Sequence, residues 1–469
     1  MKTLIINPPA EKGFNRSGRW PAKVEAGTLT EPLFLAYTAA VLEKESLPVE
    51  LIDCWPFNTS LEKLLEKIDE SITLIVLQTS TASIDLDLET AGKIKNKFPG
   101  TKITLVGSHV SVFDKEILEE NKQIDFAVRG EYEYTIRDLA KGENPKNILG
   151  LTFRDGQNII RNSDRPKIEN LDELPFPARH FLPMDVYFEP LFKSGKTFRL
   201  MASRGCPYRC SFCLWPQVMY GREVRLRSPQ NIVDEIEHLI KDYGARGLYF
   251  EDDTITAIPK HIMGICDEIL KRGIKIPWSC LGRVNTVNKE MLEKMKKAGC
   301  YMIRYGVESS SQEILNKVRK GITIAQVIEA FKITQKIGIE THASYVLGLP
   351  GETKKTMEET IKFAIKLGGD YAQFAAATPY PGTELYQEAK ERGWLKINDW
   401  SDFEVSENCV LEYPDLKARE IVEACKRAYK RFYFRPDYML KRILKIRSLA
   451  ELFQLIKGGI SLIKRSFFR

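Results

Sequence analysis

Three cysteines stand within eight residues, Cys206-Pro207-Tyr208-Arg209-Cys210-Ser211-Phe212-Cys213, with no fourth cysteine or histidine close behind. Three thiolates on one short loop can hold three irons of a [4Fe–4S] cluster and leave the fourth iron open to another ligand. A structural zinc ion is the rival occupant. It closes its tetrahedron with four nitrogen or sulfur ligands, and the next cysteine, Cys266, lies far downstream inside a predicted helix. The other six cysteines, Cys54, Cys266, Cys280, Cys300, Cys409 and Cys425, are scattered and read as small core residues or free thiols. The loop follows a predicted strand, since Thr197 to Ala202 runs into a turn at Ser203-Arg204-Gly205.

The elements that must position this loop alternate. From 197 to about 390, strands are predicted at 198–202, 246–251, 276–280, 301–306, 340–347 and 371–375. Helices are predicted between them at 229–241, 260–272, 289–298, 323–337 and 354–367. Six such units fall short of a closed eight-fold barrel. The first 140 or so residues alternate in the same way, which implies a parallel, doubly wound sheet with its ligand beyond the carboxyl ends of the strands. Those ends carry Asn7-Pro8-Pro9, Asp53, Gln78-Thr79-Ser80-Thr81, Gly107-Ser108-His109 and Arg129-Gly130-Glu131. Any one cluster reads equally as a plain turn, but five together favour a ligand. No G-x-G-x-x-G follows the first strand, which makes a dinucleotide the weaker guess. The expected division is residues 1–145, a linker with a D-G hairpin at 146–196, the second βα region at 197–390, and a helical C-terminal region at 391–469.

A chain of 469 residues, 43% of them hydrophobic, supports two or three globular domains. There is no basic and apolar leader and no run of about 18 apolar residues, so the expected location is the cytoplasm, where thiols stay reduced. The net charge of +7 gathers from Lys426 onward, where thirteen basic residues face only Asp437 and Glu451. Apolar positions such as Leu440, Ile443, Leu444 and Ile446 recur there at helical spacing. That pattern suits peripheral contact with an anionic membrane face or packing on the barrel, and both readings stand open.

The cysteine loop, with Phe212 as the aromatic before its last cysteine, resembles that of the radical S-adenosylmethionine (SAM) superfamily. Asn7-Pro8-Pro9 and Gly130-Glu131-Tyr132-Glu133 resemble the cobalamin-binding domain that precedes the radical SAM domain in one large subfamily. The resemblance implies an α/β protein: a Rossmann-like cobalamin-binding domain, then a partial (β/α)6 barrel. It implies Cys206, Cys210 and Cys213 as cluster ligands, with Tyr208 and Phe212 beside SAM. Either Asp252 or Asp253, in Phe250-Glu251-Asp252-Asp253-Thr254, would meet the SAM amino group. Arg283 would pair with its carboxylate or lie on the surface. Glu308 and Ser309 would face the ribose and methionyl part, and Gly348 would sit in the turn near adenine. Cobalamin would be held by Asn7, Pro8, Pro9, Thr79, Ser80, Gly107, Ser108, His109, Gly130 and Glu131, without the Asp-x-His-x-x-Gly lower-ligand motif, since Cys54-Trp55-Pro56 follows Asp53; His109 reads equally as a hydrogen-bonded structural residue.

The implied chemistry is reductive cleavage of SAM to a 5′-deoxyadenosyl radical, with methylcobalamin able to hand a methyl group to a substrate radical. Cyclisation, ring contraction or oxidation by the same two domains is the alternative. The implied partners are an electron donor such as flavodoxin or ferredoxin and a small-molecule or lipid substrate. Cys213-Leu214-Trp215-Pro216-Gln217 resembles the stretch in hopanoid-biosynthesis radical SAM proteins, and magnesium-protoporphyrin ester cyclases share the domain order. The RNA-modifying methylthiotransferases carry three further cysteines toward the N-terminus, where only Cys54 stands, so no nucleic-acid partner is expected. A non-catalytic metal-binding module would explain the fold but leave an open iron without a use.

Overall fold

Apolar, β-branched runs at 3–7, 74–78 and 102–106 are buried along most of their length, as strands covered by helices on both faces must be. The computed structural model describes residues 1–10, 14–17, 22–23, 28–189, 195–404, 408–444 and 459. The three runs are the centre of its first, seven-stranded sheet. Its strands are β1 (Thr3–Asn7), β2 (Val49–Asp53), β3 (Leu74–Gln78), β4 (Lys102–Val106), β5 (Phe126–Val128), β6 (Leu151–Asp155) and β7 (Asn158–Arg161), in spatial order 2-1-3-4-5-6-7. The first five are parallel, and β1 pairs with both β2 and β3. The chain therefore reverses its winding at β1 and β3, and a crevice opens beyond their carboxyl ends.

The D-G hairpin forms as expected, with Gly156 at φ 63°. It does not belong to a linker. β6 pairs antiparallel with β5 and extends the first sheet, covering an edge that would otherwise be bare.

The second sheet holds β8 (Thr197–Leu200), β9 (Gly247–Phe250), β10 (Trp278–Gly282), β11 (Cys300–Glu308), β12 (Glu340–Leu347) and β13 (Tyr371–Ala376), side by side in chain order and all parallel. Helices Pro229–Tyr243, Pro259–Lys271, Lys289–Lys297, Ile324–Ile337 and Lys354–Leu367 connect them. Ser228, Asn288, Thr323 and Thr353 cap four of these by accepting a backbone N–H at the third helical position. The result is the open six-stranded barrel that the sequence implied.

Helix Leu33–Lys44 is buried at every position from Leu33 to Leu42, so it has no solvent face. Phe34 meets Trp215, which follows the cysteine loop, at a ring separation of 5.1 Å, and Tyr37 lies 5.5 Å below the Arg204 guanidinium. One continuous core thus runs from the first sheet through this helix into the barrel.

The C-terminal helix Ala418–Tyr433 closes the last barrel edge. Tyr429 Oη accepts from Phe374 N at 3.2 Å, while Tyr433 Oη accepts from Ala372 N at 2.9 Å and donates to Ala372 O at 2.7 Å. The segment from Lys426, open between membrane face and barrel in the sequence, thus lies against the barrel through Tyr433 and on to Tyr438, whose Oη donates to Asp370 O at 2.9 Å. The basic amphipathic positions at 445–458 and 460–469 lie outside the described residues. Among the described residues no helix is long and apolar enough to cross a membrane.

Candidate functional site

The cysteine loop is pinned at both ends by backbone. Gly205 takes φ 94°, and a Cβ there would stand 2.0 Å from Glu223 O, so only glycine allows this approach. Cys206 N donates to Gly221 O at 3.2 Å and Ser211 N to Val318 O at 3.1 Å. Gln217 Nε2 donates to Cys213 O at 2.7 Å, tying the loop to the short helix Leu214–Val218. Cys206 and Cys210 are buried and Cys213 is half-buried. Among the described residues no three His, Cys, Asp or Glu side chains converge as the ligands of one metal ion do. A cluster asks for less convergence, because each thiolate takes its own iron.

The three carboxylates after β9 have separate duties. Glu251 pairs with Arg199 at 2.5 Å. Asp252 Oδ2 accepts from Ala202 N at 3.1 Å and its Oδ1 from Ser203 Oγ at 2.5 Å. Burial raises its pKa above the ordinary carboxylate range against those hydrogen bonds. Asp252 is therefore a buried brace for the turn into the loop. Asp253 Oδ2 accepts from Gly205 N at 3.0 Å, next to Cys206, which keeps it at the site.

Arg283 also reaches the loop. Its guanidinium lies 3.6 Å from the Tyr208 ring centroid, and Nη1 points at Cys210 Sγ at 3.7 Å. Glu308 holds the positive φ of 68° and accepts from Lys320 Nζ at 2.6 Å. A Cβ on Gly306 would fall 2.3 Å from Glu308 Oε1, so that glycine makes room for the ion pair. Lys320 was missed in the sequence; it sits in a turn with no pattern of its own, and only folding brings it to Glu308. Ser309 Oγ donates to Glu352 Oε1 at 3.3 Å, and Glu352 Oε2 accepts from Gly348 N at 2.7 Å and Leu349 N at 3.1 Å. Burial pushes the Glu352 carboxyl up to about 7. Ser309 and Gly348, expected to act separately, share one buried acid. Phe212 packs half-buried against the core.

A cleft of about 550 Å³, counting its open mouth, lies between the two sheets. Thr79, Ser80, Gly107, Ser108, Gly130 and Glu131 line it from the first sheet, and Trp215, Met219 and Tyr220 from beyond the cysteine loop. Six of the ten residues expected around cobalamin thus share one cavity with the segment that follows the cysteines. The other four do not line it. Asn7 Nδ2 donates to Asp53 Oδ1 at 2.7 Å, and the carbonyls of Pro8 and Pro9 accept from Arg16 Nη1 at 3.0 and 3.2 Å. These residues hold the rim of the cleft from behind. His109 is buried against Phe113 and Trp400, with Trp400 at a ring separation of 4.6 Å, and burial lowers its pKa to about 3. Its Nδ1 lies 3.4 Å from Thr81 Oγ1, an arrangement that suits the hydrogen-bonded structural residue the sequence left open.

Arg16, which no sequence signal marked, binds the ends of β1 and β3 together. It also donates to Asp87 at 2.5 Å and to Gln78 O at 3.1 Å. Gln78 and Glu133 line the cleft too, and each has a buried acceptor oxygen, Gln78 Oε1 and Glu133 Oε2, without a hydrogen-bond partner. A corrin ring is edged with amide side chains whose N–H groups would satisfy such acceptors. The residues present therefore fit a corrinoid.

Residues 200–364 match the radical SAM superfamily, and residues 20–140 match the B12 binding domain. The chain is 35% identical over 453 residues, 95% of each chain, to an uncharacterized methyltransferase of Pyrococcus horikoshii. It is 30% identical over 450 residues, 93% of this chain and 71% of the other, to the anaerobic magnesium-protoporphyrin IX monomethyl ester cyclase of Cereibacter sphaeroides. The fold is similar, with a TM-score of 0.70 over 98% of both chains at 16% identity, to radical S-adenosylmethionine methyltransferase TsrM from Kitasatospora setae with cobalamin and a [4Fe–4S] cluster bound.

Proposed function

Because the chain belongs to the radical SAM superfamily and carries its B12 binding domain, we propose that it is a cobalamin-dependent methyltransferase acting on an unactivated carbon of a small molecule. Its cofactors are a [4Fe–4S] cluster, SAM and cobalamin, which when bound supply a hydrogen-abstracting radical and a transferable methyl group. Cys206, Cys210 and Cys213 hold the cluster. Asp253, Glu308 and the turn at Gly348 orient SAM beside it. Thr79, Ser80, Gly107, Ser108, Gly130 and Glu131 seat the corrinoid, and Trp215, Met219 and Tyr220 keep water from the space between the cofactors. One observation carries this reading: the strand ends of the first sheet and the segment after the cysteine loop line the same cleft. A corrinoid held in that cleft would lie against the segment that follows the cysteine loop.

The narrower reading of the substrate as lipid-like rests on Cys213 to Gln217 and on the basic, apolar positions of the C-terminal region. An electron donor of the flavodoxin or ferredoxin kind would reduce the cluster. A cyclase that transfers no methyl group is the second reading, favoured by the 30% identity to the Cereibacter enzyme. Protein expressed with hydroxocobalamin and reconstituted anaerobically with iron and sulfide should carry both chromophores and form 5′-deoxyadenosine with dithionite and SAM. A metabolite extract treated with SAM labelled in its methyl group should then yield a product carrying the label. A product lacking the label supports cyclisation, and a chain that purifies with zinc in the loop and forms no 5′-deoxyadenosine overturns both readings.

A further inference from the structure

Arg283 stands at the end of β10, and its side chain is spent on the cysteine loop. Nη1 donates to Cys210 Sγ at 3.7 Å, Nη2 donates to Lys320 O, and Nε donates to Asn285 Oδ1 at 3.2 Å. The face of the guanidinium lies 3.6 Å from the centre of the Tyr208 ring. Its own backbone is tethered as well, with Arg283 N donating to Thr256 Oγ1 at 3.2 Å. A guanidinium reads a carboxylate with two parallel N–H groups along one edge of its fork. In Arg283 the three nitrogens are turned toward three different partners, and one face is covered by a ring of the loop. Carboxylate recognition, the role the sequence suggested, would break this arrangement. Apart from the sulfur, the partners are neutral: a carbonyl, an amide and a phenol. The anion this buried cation meets is the Cys210 thiolate when a cluster is held, with the Lys320 ammonium as a second cation nearby.

We infer that Arg283 is a positioning residue which donates a hydrogen bond to the Cys210 sulfur and thereby raises the reduction potential of the cluster, leaving the SAM carboxylate to other groups. Hydrogen bonds to cluster sulfurs and nearby charge are among the features that set such potentials. A cation beside the sulfur favours the reduced cluster, which carries one more negative charge. Tyr208 and the Lys320 carbonyl fix the guanidinium so that its N–H stays on the sulfur. The inference rests on reading the loop as a cluster site.

The test is an anaerobic redox titration of the reconstituted holoenzyme, followed by electron paramagnetic resonance, with the SAM dissociation constant measured alongside. In Arg283→Gln the reduced cluster should be about tenfold less favoured at a given ambient potential, a midpoint about 59 mV more negative for one electron. SAM affinity should stay within about twofold of the parent. Arg283→Lys keeps the charge but loses the fork and the stack, so its midpoint should fall between the two, and it serves where the glutamine variant fails to hold iron. A parental midpoint in these variants, with SAM binding weakened about tenfold, would make Arg283 a carboxylate ligand and overturn the inference alone. A parent chain that takes up no cluster would sink the functional reading and this inference with it.

Discussion

Replacing Glu131 with alanine removes the anion that pairs with Arg225 and lies 3.8 Å from Arg204, next to the Glu133–Arg204 pair. Glu131 follows β5 and is 3% exposed, and its partner Arg225 is 6% exposed. Glu131 Oε2 accepts from Arg225 Nη1 at 2.8 Å and from Ile168 N at 2.9 Å, and Oε1 accepts from Arg225 Nη2. In Glu131→Ala the buried Arg225 guanidinium loses its counter-ion and keeps only the carbonyls of Ile168 and Tyr220, while the Ile168 amide loses its acceptor. Breaking a buried pair from one side costs about 3–5 kcal/mol. Spread over an unfolding entropy of about 2.1 cal/mol/K per residue, that is a fall in Tm of about 3–5 °C for the whole chain. Anaerobic thermal and urea unfolding of the cofactor-free protein would measure it. The double replacement Glu131→Leu with Arg225→Met leaves neither charge behind and should recover more than half of the loss, because apolar pairs of similar volume replace buried ion pairs at little cost. The reasoning is refuted if Glu131→Ala costs less than about 1 kcal/mol, or if the two single losses simply add in the double variant.

Gly107→Ala places a Cβ 2.3 Å from Thr79 O at a φ of 129°, forcing the ends of β3 and β4 apart. Cobalamin retained after expression with hydroxocobalamin should fall at least about tenfold, read from the corrin absorbance, while the iron content stays at the parental level. His109→Gln should leave the corrinoid spectrum as in the parent, since the ring packs on Trp400 away from the cleft; a shifted cobalt signal would show that histidine does reach the metal. Glu352 is held up at about 7 by burial, so its favourable neutral form is complete below about pH 4.5 and its contribution to stability is lost as pH rises toward 7. Glu352→Gln should therefore gain on the parent across that window by up to about 3 kcal/mol, at about 1.4 kcal/mol per pH unit. Parallel stability curves from pH 5 to 8 would refute this.

Much of the fold was legible because glycine and capping residues punctuate it. Strand 340–347 lies between Gly338 and Gly348, and helix 354–367 between Thr353 and Gly368, and both have the bounds read from the sequence. The D-G turn announced the hairpin, but no local pattern says which edge a hairpin joins, so its place in the first sheet was missed. Strand ends gave the cleft because small residues must stand where backbone meets a ligand. Burial and pairing were not legible: no local pattern puts His109 under Trp400 or brings Asp252 to Ser203. Arg16 and Lys320 escaped notice because their partners, Asp87 and Glu308, come together only in three dimensions. The basic and apolar positions after Lys426 suit a lipid face and a barrel face alike in one dimension, and only the bare edge of β13 decides for the barrel at Tyr429 and Tyr433.

The helix Leu33–Lys44 has no polar side between Leu33 and Leu42 and so belongs to neither half of the chain. Were the gene cut between the sheets, the N-terminal fragment would keep that helix with Phe34 and Tyr37 stripped of Trp215 and Arg204, a greasy flank seeking another surface. The barrel fragment would in turn lose the wall behind its cysteine loop. Separate expression should yield two sticky pieces in place of two soluble modules, and swapping in a foreign corrinoid domain would require the helix to travel with residues chosen to match the barrel.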